Sequence, residues 1–294
     1  MVIAIIANTS CHTTSVAQQS YNHEQTDSKG NKILLGENSK EKLQQEPYGT
    51  WFNKNYTDYK LDTTSCELLK SRLADKKFVI FMGTWCGDSR REVPRMFRIL
   101  DYCGVKPSHI KLIMLSNQDS VYKQSPAHEE LGMEIHRVPD LIVFEKKKET
   151  GRIIESPVVS IEKDLLAIAS NEKYTPNYQA VSLLIDFINI NKTTDIEKKI
   201  SELSATIRPF SKSANELNTY GYVKMAAKEM DKAEVAFRVN AVLYPGDANV
   251  FDSLGDFYLK TGRFSLAKTN FQKALQIDPS NEATRKKSEQ MQNN

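Results

Sequence analysis

The residue that invites chemistry is Cys86, in the stretch FMGTWCGDSRREVP at positions 81–94. An apolar run ends just before it, and a segment with helical spacing begins just after it. A thiol at the first end of a helix lies beside unpaired main-chain N–H groups and the positive end of the helix dipole, which favour thiolate over thiol. Cys86 is therefore the candidate nucleophile. Arg90 and Arg91, within one turn, add to that bias, whereas the carboxylate of Asp88 opposes it. Three residues on stands Ser89 rather than a second thiol that could attack a mixed disulfide. Its hydroxyl can hydrogen-bond to a thiolate but cannot form a disulfide. Cys86 and Ser89 are thus the catalytic candidates of a site with no release step of its own.

The other cysteines are Cys11, Cys66 and Cys103. Cys66 falls with Leu69 and Leu73 on the apolar face of a helix expected over 62–77. Cys103 follows Cys86 by 17 positions, about 25 Å along a continuous helix. Both read as small buried apolar residues, out of reach of Cys86. There is no Cys-x-x-Cys pair for zinc, and the five histidines are scattered, so no metal and no cofactor is expected. Forty basic against 37 acidic residues leave a net charge of +3, and nothing in that balance calls for nucleic acid or an anionic membrane.

No run approaches the ~20 apolar residues of a membrane-spanning helix. The start, MVIAIIANTSC, nevertheless resembles the tail of a secretory signal, with small residues Ser15 and Ala17 placed for cleavage, or with Cys11 as a lipid acceptor. The expectation is an extracytoplasmic protein, periplasmic or lipid-anchored to the envelope; the alternative is a cytoplasmic one with a frayed N-terminus.

The elements that must hold Cys86 are legible around it. FVIFM (78–82) and IKLIML (110–115) read as strands covered on both faces, and 87–101 as a helix with Val93, Met96, Phe97 and Leu100 on one side. Pro94 is expected to kink that helix by leaving the carbonyl of Arg90 without its partner. A further helix is expected around 124–133, and a hairpin of DLIVFE (140–145) and GRIIES (151–156) around KKKET. Together these predict an α/β domain over 47–172, a mixed sheet flanked by helices. Residues 1–46 are read as the signal-like start and a disordered tether, because 12–46 carry few large apolar groups. A helical bridge spans 173–213, with VSLLIDFINI (181–190) as its buried helix.

The tail repeats. At a period of 34, Tyr220, Gly221, Ala233, Phe237 and Pro245 align with Leu254, Gly255, Ala267, Phe271 and Pro279. Large apolar, Gly, Ala, Phe and Pro in that order resemble the tetratricopeptide repeat, which implies an all-α region over 214–294: repeats 214–247 and 248–281 plus a capping helix. Asn240 departs from the pattern, where the second repeat has Ala274.

The first domain resembles the thioredoxin-like fold, in its extracytoplasmic thiol-disulfide branch. The likeness rests on Trp85, Cys86, Gly87, Arg90 or Arg91, Glu92 and Pro94, and on RVPDLIVFE, where Val138-Pro139 matches the family's cis-proline before a strand. The resemblance implies that Trp85 packs beside the sulfur, and that the main chain of Val138, before Pro139, pairs with an extended substrate peptide. Trp85, Val138 and Pro139 are thus the substrate-binding candidates. Two departures matter. Ser89 replaces the resolving cysteine, and Ile80 stands where the family often buries a carboxylate. The reading is a monothiol protein that engages partner thiols or disulfides through Cys86, resolved by a small thiol or a partner protein, with the repeats binding partner proteins. The alternative is a redox-silent peptide-binding protein or envelope scaffold in which groove and repeats only hold partners.

Overall fold

The computed structural model describes residues 21–191 and 193–291. Its first part is a mixed sheet wrapped by helices. In chain order come β1 (His23–Thr26), β2 (Lys32–Asn38), α1 (Lys40–Leu43), α2 (Gly49–Asp58), α3 (Thr63–Leu73), β3 (Lys77–Met82), α4 (Gly87–Tyr102), β4 (Ile110–Met114), β5 (Asp140–Glu145), β6 (Lys148–Ile154) and α5 (Ile161–Ala169). The six strands lie in the order β1-β2-β4-β3-β5-β6. Only β3 and β4 run parallel, joined across α4; every other neighbouring pair is antiparallel. Alternation along β3 splits its side chains between two cores. Phe78, Ile80 and Met82 pack with α2, α3, α4 and α5, while Phe81 turns to the opposite face with Ile113, Leu115, Ile135, Val138 and Ile142.

Pro94 sits inside α4 without ending it. The carbonyl of Arg90 that loses its helical partner accepts a hydrogen bond from the side chain of Asn55 on α2 at 3.2 Å. The strand expected from 151 begins three residues earlier. Lys146 and Lys147 both take positive φ and close a two-residue hairpin, so the basic cluster is a tight turn rather than a loop.

Two expectations need correction. Residues 23–46 are not a tether: β1 and β2 form a hairpin that extends the sheet, and α1 follows it. Ile33, Leu34 and Leu35 are buried, and Asp27 knots the turn by accepting from the main chain of Lys29 and Asn31. Three apolar residues in a polar stretch suffice because β2 pairs with β4. The remainder of that expectation, the signal-like start and Cys11, lies outside the described residues. Nor is 124–133 helical. Lys123, His128 and Gly132 take positive φ, which a helix does not tolerate, and the segment runs as successive turns.

The second part is all helix: α6 (Gln179–Ile190), α7 (Thr193–Ile207), α8 (Ala214–Ala226), α9 (Met230–Leu243), α10 (Ala248–Lys260), α11 (Phe264–Ile277) and α12 (Glu282–Gln290). The 34-residue period has a direct packing reason. A Cβ on Gly221 would lie 2.7 Å from the ring of Phe237, and one on Gly255 would lie 2.5 Å from the ring of Phe271. Each glycine lets one helix of a pair rest on an aromatic ring of the next. Asn240, the departure in the first pair, is fully buried and donates to the carbonyl of Ala214 at 2.9 Å.

Candidate functional site

Strand β3, inside the sheet between β4 and β5, ends at Met82, and Gly83, Thr84 and Trp85 turn the chain into α4. Cys86 is the N-cap of that helix, in extended conformation, and is partly exposed. The turn is braced from three sides. The hydroxyl of Thr84, buried, accepts from the main-chain N–H of Leu34 at 3.2 Å, so β2 holds the loop that carries the thiol. Arg90 reaches back and donates to the carbonyl of Thr84. Ser89 is fully buried and accepts from the N–H of Gly83 at 3.3 Å. Ser89 thus fastens the loop from inside. Its recorded bond is to Gly83, not to the sulfur.

The arginines are also committed elsewhere. Arg90 is tied to Thr84, and Arg91 pairs with Asp88 at 2.8 Å and with Glu92 at 2.6 Å. The like charge of Asp88 is compensated locally, and neither guanidinium is spent on the sulfur.

Facing Cys86 is the expected pair of residues. The Val138-Pro139 peptide bond is cis, and the thiol of Cys86 donates to the carbonyl of Val138 at 3.3 Å. Trp85, the residue before Cys86, packs against the same core cluster and is fixed by a bond from its indole nitrogen to the carbonyl of Leu115 at 2.8 Å. The structure therefore brings Cys86, Trp85, Val138 and Pro139 to one place, with Ser89 beneath. Ile80 is fully buried in the aliphatic core, so that position offers no proton carrier.

The sequence reading missed the next layer. Tyr122 stands against Trp85, ring centroids 6.2 Å apart. Lys123, only 4 % exposed, donates to the carbonyl of His136 at 2.6 Å, and its ammonium lies 4.9 Å from the Tyr122 ring. Burial, helped by the charge of Arg137, brings this amine down to about 7; negative charge at Cys86 or Glu155 works the other way. His136 is buried behind it, with burial depressing its imidazole to about 3, and Nδ1 3.1 Å from the carbonyl of Glu134. At the head of β5, burial lifts Asp140 to about 6 despite its pair with Arg152 at 3.1 Å. Nothing in SVYKQSP marks Lys123 as buried: it takes positive φ in a turn, where no periodicity applies.

The helical part closes on this platform. Glu134 binds Lys224 at 2.6 Å and Lys232 at 2.7 Å and accepts from the hydroxyl of Tyr220 at 3.1 Å. Arg137 donates to the carbonyl of Asn215 at 2.8 Å, and His136 lies edge-on to Tyr178 and Tyr220. A cleft of about 720 Å³ opens between the two parts, with Asp119 and Tyr122 on one wall and Asn218, Tyr222, Asp256 and Lys260 on the other. Tyr122 belongs both to the cleft and to the surroundings of Trp85, whereas Cys86, Val138 and Pro139 do not line the cleft.

Among the described residues no three His, Cys, Asp or Glu side chains group as a metal site would require, and no helix is long and apolar enough to cross a membrane. No known protein family matches the chain by its sequence profile, and no curated protein matches it either.

Proposed function

We propose that this chain is a monothiol protein of thioredoxin-like type, extracytoplasmic, whose tetratricopeptide-type helices hold the partner that Cys86 engages. One observation carries the reading: a partly exposed thiol at the N-terminus of α4, 3.3 Å from the carbonyl that precedes a cis-proline. The partly exposed sulfur is accessible to a partner disulfide, and the main chain at Val138 offers an edge to an extended peptide. In the step this implies, the Cys86 thiolate attacks one sulfur of a partner disulfide, the partner's S–S bond breaks, and its other sulfur leaves as a thiolate that takes up a proton. With Ser89 in the resolving position, release falls to a small thiol or a second protein thiol attacking the mixed disulfide.

A second reading, a peptide-holding protein without redox turnover, draws support from the cleft. Its walls come from both parts of the chain and need no sulfur chemistry. Trapping separates the two. Under the first, partners are recovered from native extracts as adducts that dithiothreitol reverses, and Cys86→Ser loses them. Equal recovery by Cys86→Ser under the same conditions would leave holding as the function.

A further inference from the structure

The far end of α4 carries a second thiol site. Cys103 is the C-cap of the helix, and Cys66 projects from α3 into the same core. The thiol of Cys103 donates to the main-chain oxygen of Cys66 at 3.6 Å, 37 positions away, and each thiol bears on the other's titration. Both side chains are free thiols in this structure. They differ in access. Cys66 is fully enclosed, whereas Cys103 is 7 % exposed, with Lys70 and Glu67 near enough to act on its charge.

We propose that Cys103 and Cys66 form a nucleophile and resolver pair that closes into a disulfide on meeting a small oxidised disulfide, stapling α3 to the end of α4. The order of events follows from the surroundings. Burial, and then charge on Cys103, push the Cys66 thiol up to about 12, with Glu162 and Asp62 adding to the rise. Burial raises the Cys103 thiol above its ordinary value as well, but the neighbouring Cys66 thiol and the ammonium of Lys70 moderate the rise against Glu67 and Glu162. Cys103 is thus the thiol that gives up its proton first and the one a reagent can reach. Its thiolate attacks one sulfur of the small disulfide; that S–S bond breaks, and the departing thiolate takes up the proton. Cys66 then loses its proton, attacks the sulfur of Cys103 and expels the second small thiol, which is protonated in turn. Two protein thiols are oxidised by two electrons, and one external disulfide is reduced to two thiols.

The pair stands apart from Cys86. The 17-position separation along α4, about 25 Å, keeps the two sites from exchanging directly. Its chemistry also does not depend on whether Cys86 turns over.

The full chain is incubated with excess oxidised glutathione under native conditions, quenched with iodoacetamide and digested with trypsin. The expected product links peptide 61–70 to peptide 99–111, two hydrogens lighter than their sum, and dithiothreitol reverses it. Closing a 37-residue loop should also raise the thermal midpoint by ~5 °C or more. Cys66→Ala should stop at a persistent glutathione adduct on Cys103, and Cys103→Ala should leave Cys66 unmodified. The proposal is overturned if both thiols of the wild-type chain are recovered separately alkylated, if its Cys103 keeps its glutathione, or if either thiol is found linked to Cys86.

Discussion

Helix α4 begins at one thiol and ends at another, and the two ends divide what a dithiol site usually holds together. At the start, Cys86 is partly exposed, faces the carbonyl of Val138 and has Ser89 where a resolving sulfur would be. At the finish, Cys103 has a thiol beside it but lies almost wholly inside the core with Cys66. Access and resolution therefore sit at opposite ends of one element. Sulfur chemistry is decided by what surrounds each atom, since the two residues share the same helix and the same type.

The contrast can be broken most directly by a reagent. Timed iodoacetamide labelling of the native chain, read by peptide mass spectrometry, should modify Cys86 at least ~100-fold faster than Cys66, because thiolate character and exposure control the rate. Comparable rates at Cys66 would mean that the core opens on the labelling timescale. A stability measurement inverts the ranking. Cys66→Ser places a hydroxyl in an apolar enclosure and should cost about 1–3 kcal/mol in urea denaturation, whereas Cys86→Ser at the partly exposed end should stay within about 0.5 kcal/mol. Thr84→Val sharpens the Cys86 side: it leaves the buried N–H of Leu34 without its acceptor, for a loss of about 1–2 kcal/mol. Labelling of Cys86 should slow alongside if the brace from β2 positions the sulfur.

A pH signature belongs to the Cys86 end alone. Lys123 is depressed from 10.5 to about 7, so between those values the unfolded chain binds more protons and stability rises with pH; below about 7 both states carry the charge. Arg137, Tyr122, Glu155 and Cys86 all act on or beside this amine. Comparing Lys123→Met with wild type isolates its part: the variant's thermal midpoint should lack the rise between pH 7 and 10. His136 contributes on the acid side, where stability falls as pH drops from 6.5 towards 3, partly offset by Asp140, whose raised carboxyl works in the opposite sense up to about 6.

Local pattern accounts for what could be read in advance. The strands around α4, the position of Cys86 and the 34-residue period all follow from apolar spacing within single elements, and the Gly221 to Phe237 contact shows why the period must hold. What escaped depends on pairing through space. The β1-β2 hairpin has three consecutive apolar residues and becomes a strand pair only because β4 has a free edge. Lys123 reads as a solvated turn until His136 covers it, and Cys66 and Cys103 look like separate core residues until α3 and α4 are packed. The sequence marks Ser89 as a replacement, but its bond to Gly83 is a matter of rotamer, which spacing does not encode.

Glu134 has a consequence that reaches beyond packing. It stands four residues before Val138, and its charge is balanced by Lys224 and Lys232 from the helices on the far side of the cleft. The ledge opposite the sulfur is therefore anchored in the element that would grip a partner. Under the proposed function, thermodynamic reciprocity applies: by whatever factor an adduct on Cys86 would alter partner binding at the helices, a bound partner would alter adduct formation at Cys86. Glu134→Gln, by loosening that anchor, would turn one two-handed hold into two independent ones.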